Sequence, residues 1–227
     1  PTSGSSFVLS TQLTPPYSLF REPSTNPADT YKLVEFHKER FNAEWFAPIG
    51  KAHGAEKNKQ MVLKVAAKYG FLGRDSKKTE ISPFERFQLG DAGLSNNFAL
   101  LGYDIIAHRG YPIYDVTNPK INPDKSNASQ FFPIFNKYTL ELRYPFSTAA
   151  SSTIYGLTFF EAANGWYNIK DYNPFQLRRS AGVGMRFFLP MFGLLGFDYG
   201  IGFDRMKPGE TIKSAAKFTF MLGQEPE

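Results

Sequence analysis

RRSAGVGMRFFLPMFGLLGFDYGIGFD, Arg178–Asp204, decides the fold. Up to Leu189 the stretch alternates Ala181, Val183, Met185, Phe187 and Leu189 with Ser180, Gly182, Gly184 and Arg186. Beyond Pro190 it alternates Leu195, Phe197, Tyr199, Ile201 and Phe203 with Gly196, Asp198, Gly200, Gly202 and Asp204. Side chains of a strand point alternately to its two faces, so each half has one apolar, aromatic face and one face of glycine with isolated charges. Glycine weakens a strand and has no purpose on a face turned to water. It has one on the inside of a barrel wall, where something else must pack closely.

Working outward, the same period recurs. Ser5–Thr14 sets Phe7, Leu9, Thr11 and Leu13 against Ser6, Val8, Ser10 and Gln12. Lys59–Leu72 alternates from Met61 to Phe71, and Lys137–Tyr144 sets Tyr138, Leu140, Leu142 and Tyr144 against Lys137, Thr139, Glu141 and Arg143. Lys217–Gly223 closes the series with Phe218, Phe220 and Leu222 on one face. Tyr31–Phe46 and Thr153–Tyr167 are less regular strands. About eight strands and no helical period predict an all-β chain.

Composition narrows the class. The 227 residues include 23 Phe and 12 Tyr, yet mean hydropathy is −0.34. Lipid-facing apolar rows opposite a polar lumen account for both numbers at once. Tyr138, Tyr144, Phe187, Tyr199 and Phe203 have the positions of interfacial girdles. The prediction is an antiparallel transmembrane β-barrel bounded by outer-membrane lipids; a soluble sandwich or jelly roll is the alternative. A helical membrane protein is excluded, since the most apolar run, Met191–Phe197, is far below the ~20 residues a helix needs to cross. There is no Cys, the three His are scattered, and the net charge of +5 is not clustered. No metal site, cofactor or nucleic-acid partner is therefore expected. Pro145–Ser152 and Pro190–Phe192 read as tight periplasmic turns, and Glu85–Asn136 as a long loop with little strand character. Its part Asn118–Gln130 reads as exposed and mobile, and its apolar, Gly-rich first part as ordered.

Several motifs, in order, resemble the C-terminal barrel of the outer-membrane protein assembly superfamily, the family of the central β-barrel assembly machinery subunit. FERFQLGDAGLS (Phe84–Ser95) resembles the strand entering the family's lumen loop, and His108–Arg109–Gly110–Tyr111 resembles that loop's Arg-Gly-aromatic hallmark. YTLELRYPFS (Tyr138–Ser147), IYGLTFFEAANGWYN (Ile154–Asn168), the opening stretch and FTFMLGQ (Phe218–Gln224) resemble the strands that follow; QLTPPYS (Gln12–Ser18) extends the series upstream. Three departures stand out. His108 takes a place usually held by a small or apolar residue, the chain ends GQEPE instead of on an aromatic, and about eight strands stand where the family barrel has sixteen. The resemblance thus implies that residues 1–227 are the C-terminal half of such a barrel, without its N-terminal strands and periplasmic domains, and that residues 85–136 fold partly into the lumen.

The resemblance also implies the site. Arg109, with Gly110 and Tyr111, would reach inward-facing carboxylates: Glu141, which has lumen parity, and Glu161, whose blurred alternation would require a bulge. A guanidinium between two carboxylates in a partly desolvated lumen gains bidentate, charge-assisted hydrogen bonds; an exposed loop Arg would gain almost nothing. Gly182, Gly184, Gly196, Gly200 and Gly202 read either as bends in a twisted wall or as room for a loop carrying Gly102 and Gly110. The strand Phe218, Phe220, Leu222, Gly223 reads as an ordinary closing strand or as a seam that opens for substrate strands. The implied function is non-enzymatic assembly of barrel proteins in the bacterial outer membrane. Its partners would be nascent barrel proteins, accessory periplasmic or surface lipoproteins, and the barrel's other half. The alternatives are a two-partner secretion pore, a passive porin or an outer-membrane lipid hydrolase. For the last, no G-x-S-x-G motif is present and no His neighbours a nucleophile motif.

Overall fold

A computed structural model describes residues 1–20, 34–53, 59–74, 81–91, 104–113, 131–149, 152–189, 193–206, 209 and 211–223. In chain order the strands are β1 (Gly4–Leu13), β2 (His37–His53), β3 (Lys59–Gly73), β4 (Phe87–Leu89), β5 (Asp104–Ile106), β6 (Phe131–Phe132), β7 (Ile134–Ala149), β8 (Ser152–Trp166), β9 (Arg178–Leu189), β10 (Gly193–Gly202) and β11 (Ala216–Gly223). Eight of them form one antiparallel sheet in the order β1-β2-β3-β7-β8-β9-β10-β11. The three short strands make a second sheet, with β4 between β5 and β6.

Register fixes which residues share a face. Lys64 lies opposite Glu141 and Glu141 opposite Phe159, while Glu161 lies opposite Ser180 and Gly200 opposite both Gly182 and Lys217. These residues form the inner surface. The alternate residues form an outer surface whose large apolar side chains are exposed: Phe7, Phe41, Trp45, Leu140, Phe160, Val183, Tyr199 and Phe218 among them. A sheet with apolar side chains outside and charged ones buried inside is the arrangement of a membrane barrel wall.

Inside, at the end where β3 leaves the wall, Leu72, Phe87, Leu89, Ile106, Phe132, Phe135 and Ala163 form the apolar core. Two wall glycines make room for it. A Cβ on Gly70 would lie 2.7 Å from the Phe87 ring, and one on Gly165 would lie 2.9 Å from Leu89 and collide with Phe132. The small β4–β5–β6 sheet is thus fastened inside the wall by aromatic packing.

Three expectations need correction. Most of Pro145–Ser152 is strand: β7 runs through Pro145 to Ala149, which pairs with Ser152 at a tight connection, and a register shift between Pro145 and Ser147 absorbs the missing N–H. Glu161 needs no bulge, because β8 pairs with β7 without a shift from Tyr155 to Trp166, and with β9 without a shift throughout. The alternation looked blurred because residues 168–177 fold against the outer side there. Pro174 and Gln176 accept hydrogen bonds from Asn136 and Asn164 (3.4 and 2.7 Å), and Tyr172 packs edge-on against Trp166. The third correction concerns β2, which continues past Phe46 to His53, because Ala47, Pro48 and Ile49 keep pairing with β3. Tyr31–Lys32–Leu33, Gly102, Asn118–Gln130, Pro190–Phe192 and the GQEPE ending lie outside the described residues, apart from Gly223.

Candidate functional site: a loop arginine in the lumen

Past β5 the chain turns inward through His108–Ile113, and a Tyr111 N–H to His108 C=O bond (3.2 Å) closes the tip. Gly110 takes φ +86°, a backbone that L side chains rarely adopt. A Cβ there would meet the backbone of Ile201 and Gly202 at 3.1 Å, and one on Gly200 would lie 2.8 Å from the Gly110 nitrogen. Backbone therefore rests on backbone, which only glycine on both sides permits. The rest of the glycine row serves other neighbours: Gly182 seats the Phe159 ring, Gly184 the Asp198 carboxylate and Gly196 the Met221 side chain.

That close approach carries Arg109 into the middle of the wall, where it is 3% exposed. Its backbone N–H donates to Glu161 Oε2 (2.8 Å) and its Nε to Glu161 Oε1 (3.0 Å). Nη2 donates to Glu141 Oε2 at 2.9 Å, and the guanidinium lies 3.7 Å above the centre of the Phe159 ring. Glu141, Glu161, Arg109, Gly110 and Tyr111 are thus brought together, with β7 and β8 supplying the carboxylates.

Several members of this network were not singled out from the sequence. Lys137 bridges Glu161 at 3.1 Å and donates to the Ala107 carbonyl, and Arg143 Nε donates to Glu141 Oε1 at 2.6 Å. On the other side Arg186 forms a two-pronged pair with Asp198 (2.8 and 2.8 Å), and Asp198 stands 4.0 Å from Arg109. All four occupy inward rows that the alternation already marked, so parity was the available signal. A buried carboxylate without partners is costly; here each has an arginine or lysine, and the array makes the docked loop a specific state.

The aromatic of the motif fastens the far side. Tyr111 Oη donates to the Arg179 carbonyl (2.9 Å) and accepts from the Asp204 N–H (3.1 Å), while Arg178 stacks 4.2 Å over its ring. Burial pushes the Tyr111 hydroxyl up to about 12, so it stays a neutral donor. Burial also opposes the charge on Asp204, but hydrogen bonds from the Arg179 side chain and backbone hold its carboxyl below the usual range. Arg205 donates to the Gly110 carbonyl at 2.9 Å. His108 is 1% exposed and stacks on Tyr111 at 4.3 Å, and its Nε2 has no hydrogen-bond partner among the described residues. Burial lowers its pKa to about 3.

The closing-strand residues are placed differently. Phe218, Phe220 and Leu222 lie on the outer surface of β11, opposite Tyr199, Phe197 and Leu195. Gly223 ends the strand opposite Leu194, away from the arginine network.

An antiparallel wall with an apolar outside, a charged inside and an arginine loop docked across it defines an outer-membrane β-barrel protein with a lumen loop. The chain belongs to the Omp85 superfamily, whose domain model matches residues 1–225. Among solved structures it is similar to BamA from Haemophilus ducreyi lacking POTRA domains 1–3. The TM-score is 0.60 at 17% identity, over 97% of this chain and 38% of that one, a likeness of fold. No curated protein matches the sequence. Family and fold together place the chain in the bacterial outer membrane.

Proposed function

We propose that this chain is the barrel part of a factor that folds and inserts other β-barrel proteins into the outer membrane. The observation that carries the reading is the burial of Arg109 between Glu141 and Glu161 of two adjacent strands. A loop bound this way fixes the relation of β7 and β8 to β9 and β10, so it acts on the wall's conformation and makes or breaks no covalent bond. The chain then works without a cofactor. Substrate folding supplies the free energy, as backbone groups pair and apolar faces meet lipid. Phe218, Phe220, Leu222 and Gly223 form the seam strand, at which a nascent strand adds by β-augmentation. Nascent barrel proteins, outer-membrane lipids, accessory lipoproteins and the remaining strands of the same barrel are its partners.

Depletion of the full-length protein tests this. Loss of many outer-membrane barrels together is the expected outcome. Loss of one exported partner alone would instead indicate a two-partner secretion pore, and altered solute uptake with normal barrel levels a porin.

A further inference from the structure

The strand β11 pairs with β10 on one side and, among the described residues, with no strand on the other. Its inner face is nevertheless held, and the holding residue belongs to the lumen loop. Asp91 follows β4 and is 7% exposed. Its backbone N–H donates to the Tyr111 carbonyl at 2.8 Å, and it forms a parallel bridge with Pro112. Its side chain turns the other way: Oδ2 accepts from the buried Thr219 hydroxyl, and its carbonyl accepts from Lys217 Nζ, which also stands 3.9 Å from Oδ2. Thr219 and Lys217 are two of the inward residues of β11, opposite Asp198 and Gly200. One residue is therefore stitched by its main chain to the Arg109–Gly110–Tyr111 tip and by its side chain and carbonyl to the last strand.

The loop is tied on the opposite side as well. Lys38 of β2 bridges Asp104 at 2.9 Å and Glu85 at 3.1 Å, and Arg40 reaches Asp104 at 3.1 Å. The loop thus spans the lumen from β2 to β11, and Asp91 is its grip on β11.

We infer that Asp91 is a positioning residue that transmits the docked state of the arginine loop to strand β11. With Arg109 seated, Asp91 clasps Thr219 and Lys217 and keeps β11 in register on β10. When the loop leaves, the strand loses its inner support and its pairing to β10 loosens. This deepens the proposed function, since it rests on β11 being the seam.

Hydrogen exchange of the full-length protein in lipid nanodiscs, read on peptides covering residues 216–223, tests it. Asp91→Ala should speed exchange there roughly tenfold, the loss expected of one charge-assisted hydrogen bond, and leave residues 137–144 unchanged. Asp91→Asn keeps an acceptor for Thr219 and should restore most of the protection. Arg109→Ala should also speed β11, and should add nothing in the Asp91→Ala background. Unchanged β11 exchange in Asp91→Ala, or additive effects of the two variants, would overturn the inference.

A second arm uses the absence of cysteine in this chain. The pair Asp91→Cys and Thr219→Cys, oxidised, should exchange in β11 as slowly as the parent, and on reduction as fast as Asp91→Ala. Equal exchange in the two redox states would also overturn the inference. Assembly is read separately, as barrel levels in cells. Fast β11 exchange with normal barrel levels would leave the clasp standing and count against the seam's part in the proposed function.

Discussion

Arg109 is the one cation shared by Glu141 and Glu161, and with Arg143 and Lys137 it balances their buried charge, so its replacement leaves both carboxylates under-compensated. Arg109→Glu places a third carboxylate beside Glu141 and Glu161 and should cost about 3–5 kcal/mol, the range for breaking a buried pair. Adding Glu141→Arg should recover part of that loss, since the exchanged side chains again meet with opposite charges, and Glu161 keeps Lys137 in either case. Heat-modifiability on gels, with the four members of the cycle side by side, checks this; a coupling energy near zero would reject the pairing as a stabilising unit. His108 gives a pH dependence at the same tip. Its pKa falls from an ordinary 6.5 to about 3 on burial, so the undocked loop binds more protons than the docked one between those values. Docking is therefore unaffected above pH 6.5 and weakens as pH falls below it, by about 2 kcal/mol at pH 5. Protonation would also bring a new cation close to Lys137, Arg178 and Arg109, with Glu161 alone opposing. Limited proteolysis at pH 7.5 and 5 should show the tip opening at the lower pH, and His108→Phe, which keeps the stacking on Tyr111, should flatten the response. At this scale the motif Arg109–Gly110–Tyr111 and its carboxylates were legible from resemblance and strand parity. Asp91, Asp204 and Arg205 were not, because their partners lie across loops whose path no local pattern encodes.

Between elements, the contact that seats the loop is the meeting of Gly110 with Gly200 and Gly202. A methyl on Gly200 would sit 2.8 Å from the Gly110 backbone nitrogen, and neither main chain can give way without undocking Arg109. Gly200→Ala should therefore destabilise the docked state by about 1–3 kcal/mol. Gly196→Ala on the same strand meets side chains instead of main chain, Met221 Cγ at 2.6 Å and Sδ at 3.0 Å, which can turn to another rotamer, and should cost less. Trypsin accessibility of the loop in the two variants, against thermal unfolding of each barrel, makes the comparison; equal effects would mean that the row serves the wall alone. The wall's strands were legible wherever one row met lipid and the other the lumen, as in β3, β9 and β10. They were misread where a further layer hid the contrast, as over Asn136, Asn164 and Trp166, and where proline was taken as punctuation although a bulge lets β7 pass through Pro145.

For the molecule as a whole, the strand β11, which among the described residues pairs with β10 alone, predicts where a nascent strand joins. Unpaired N–H and C=O groups in hydrocarbon cost several kcal/mol each, so an edge at membrane depth recruits whatever strand it can pair with. β11 has its inward residues Thr219 and Met221 buried and its outward Phe218 and Leu222 exposed. It therefore presents a held edge to the membrane, and an added strand there loses less conformational freedom than one meeting a bare strand. On the proposed function, photo-crosslinkers at Phe218 and Phe220 in full-length protein should capture a barrel substrate during assembly. The same probe at Phe160, on a strand paired on both sides, should capture little. Because strand pairing advances residue for residue, moving the probe two positions along β11 should move the crosslinked site two positions along the substrate strand. Capture at Phe160 equal to that at Phe218, or a substrate site that does not move with the probe, would rule out edge addition at β11 and leave the strand as wall.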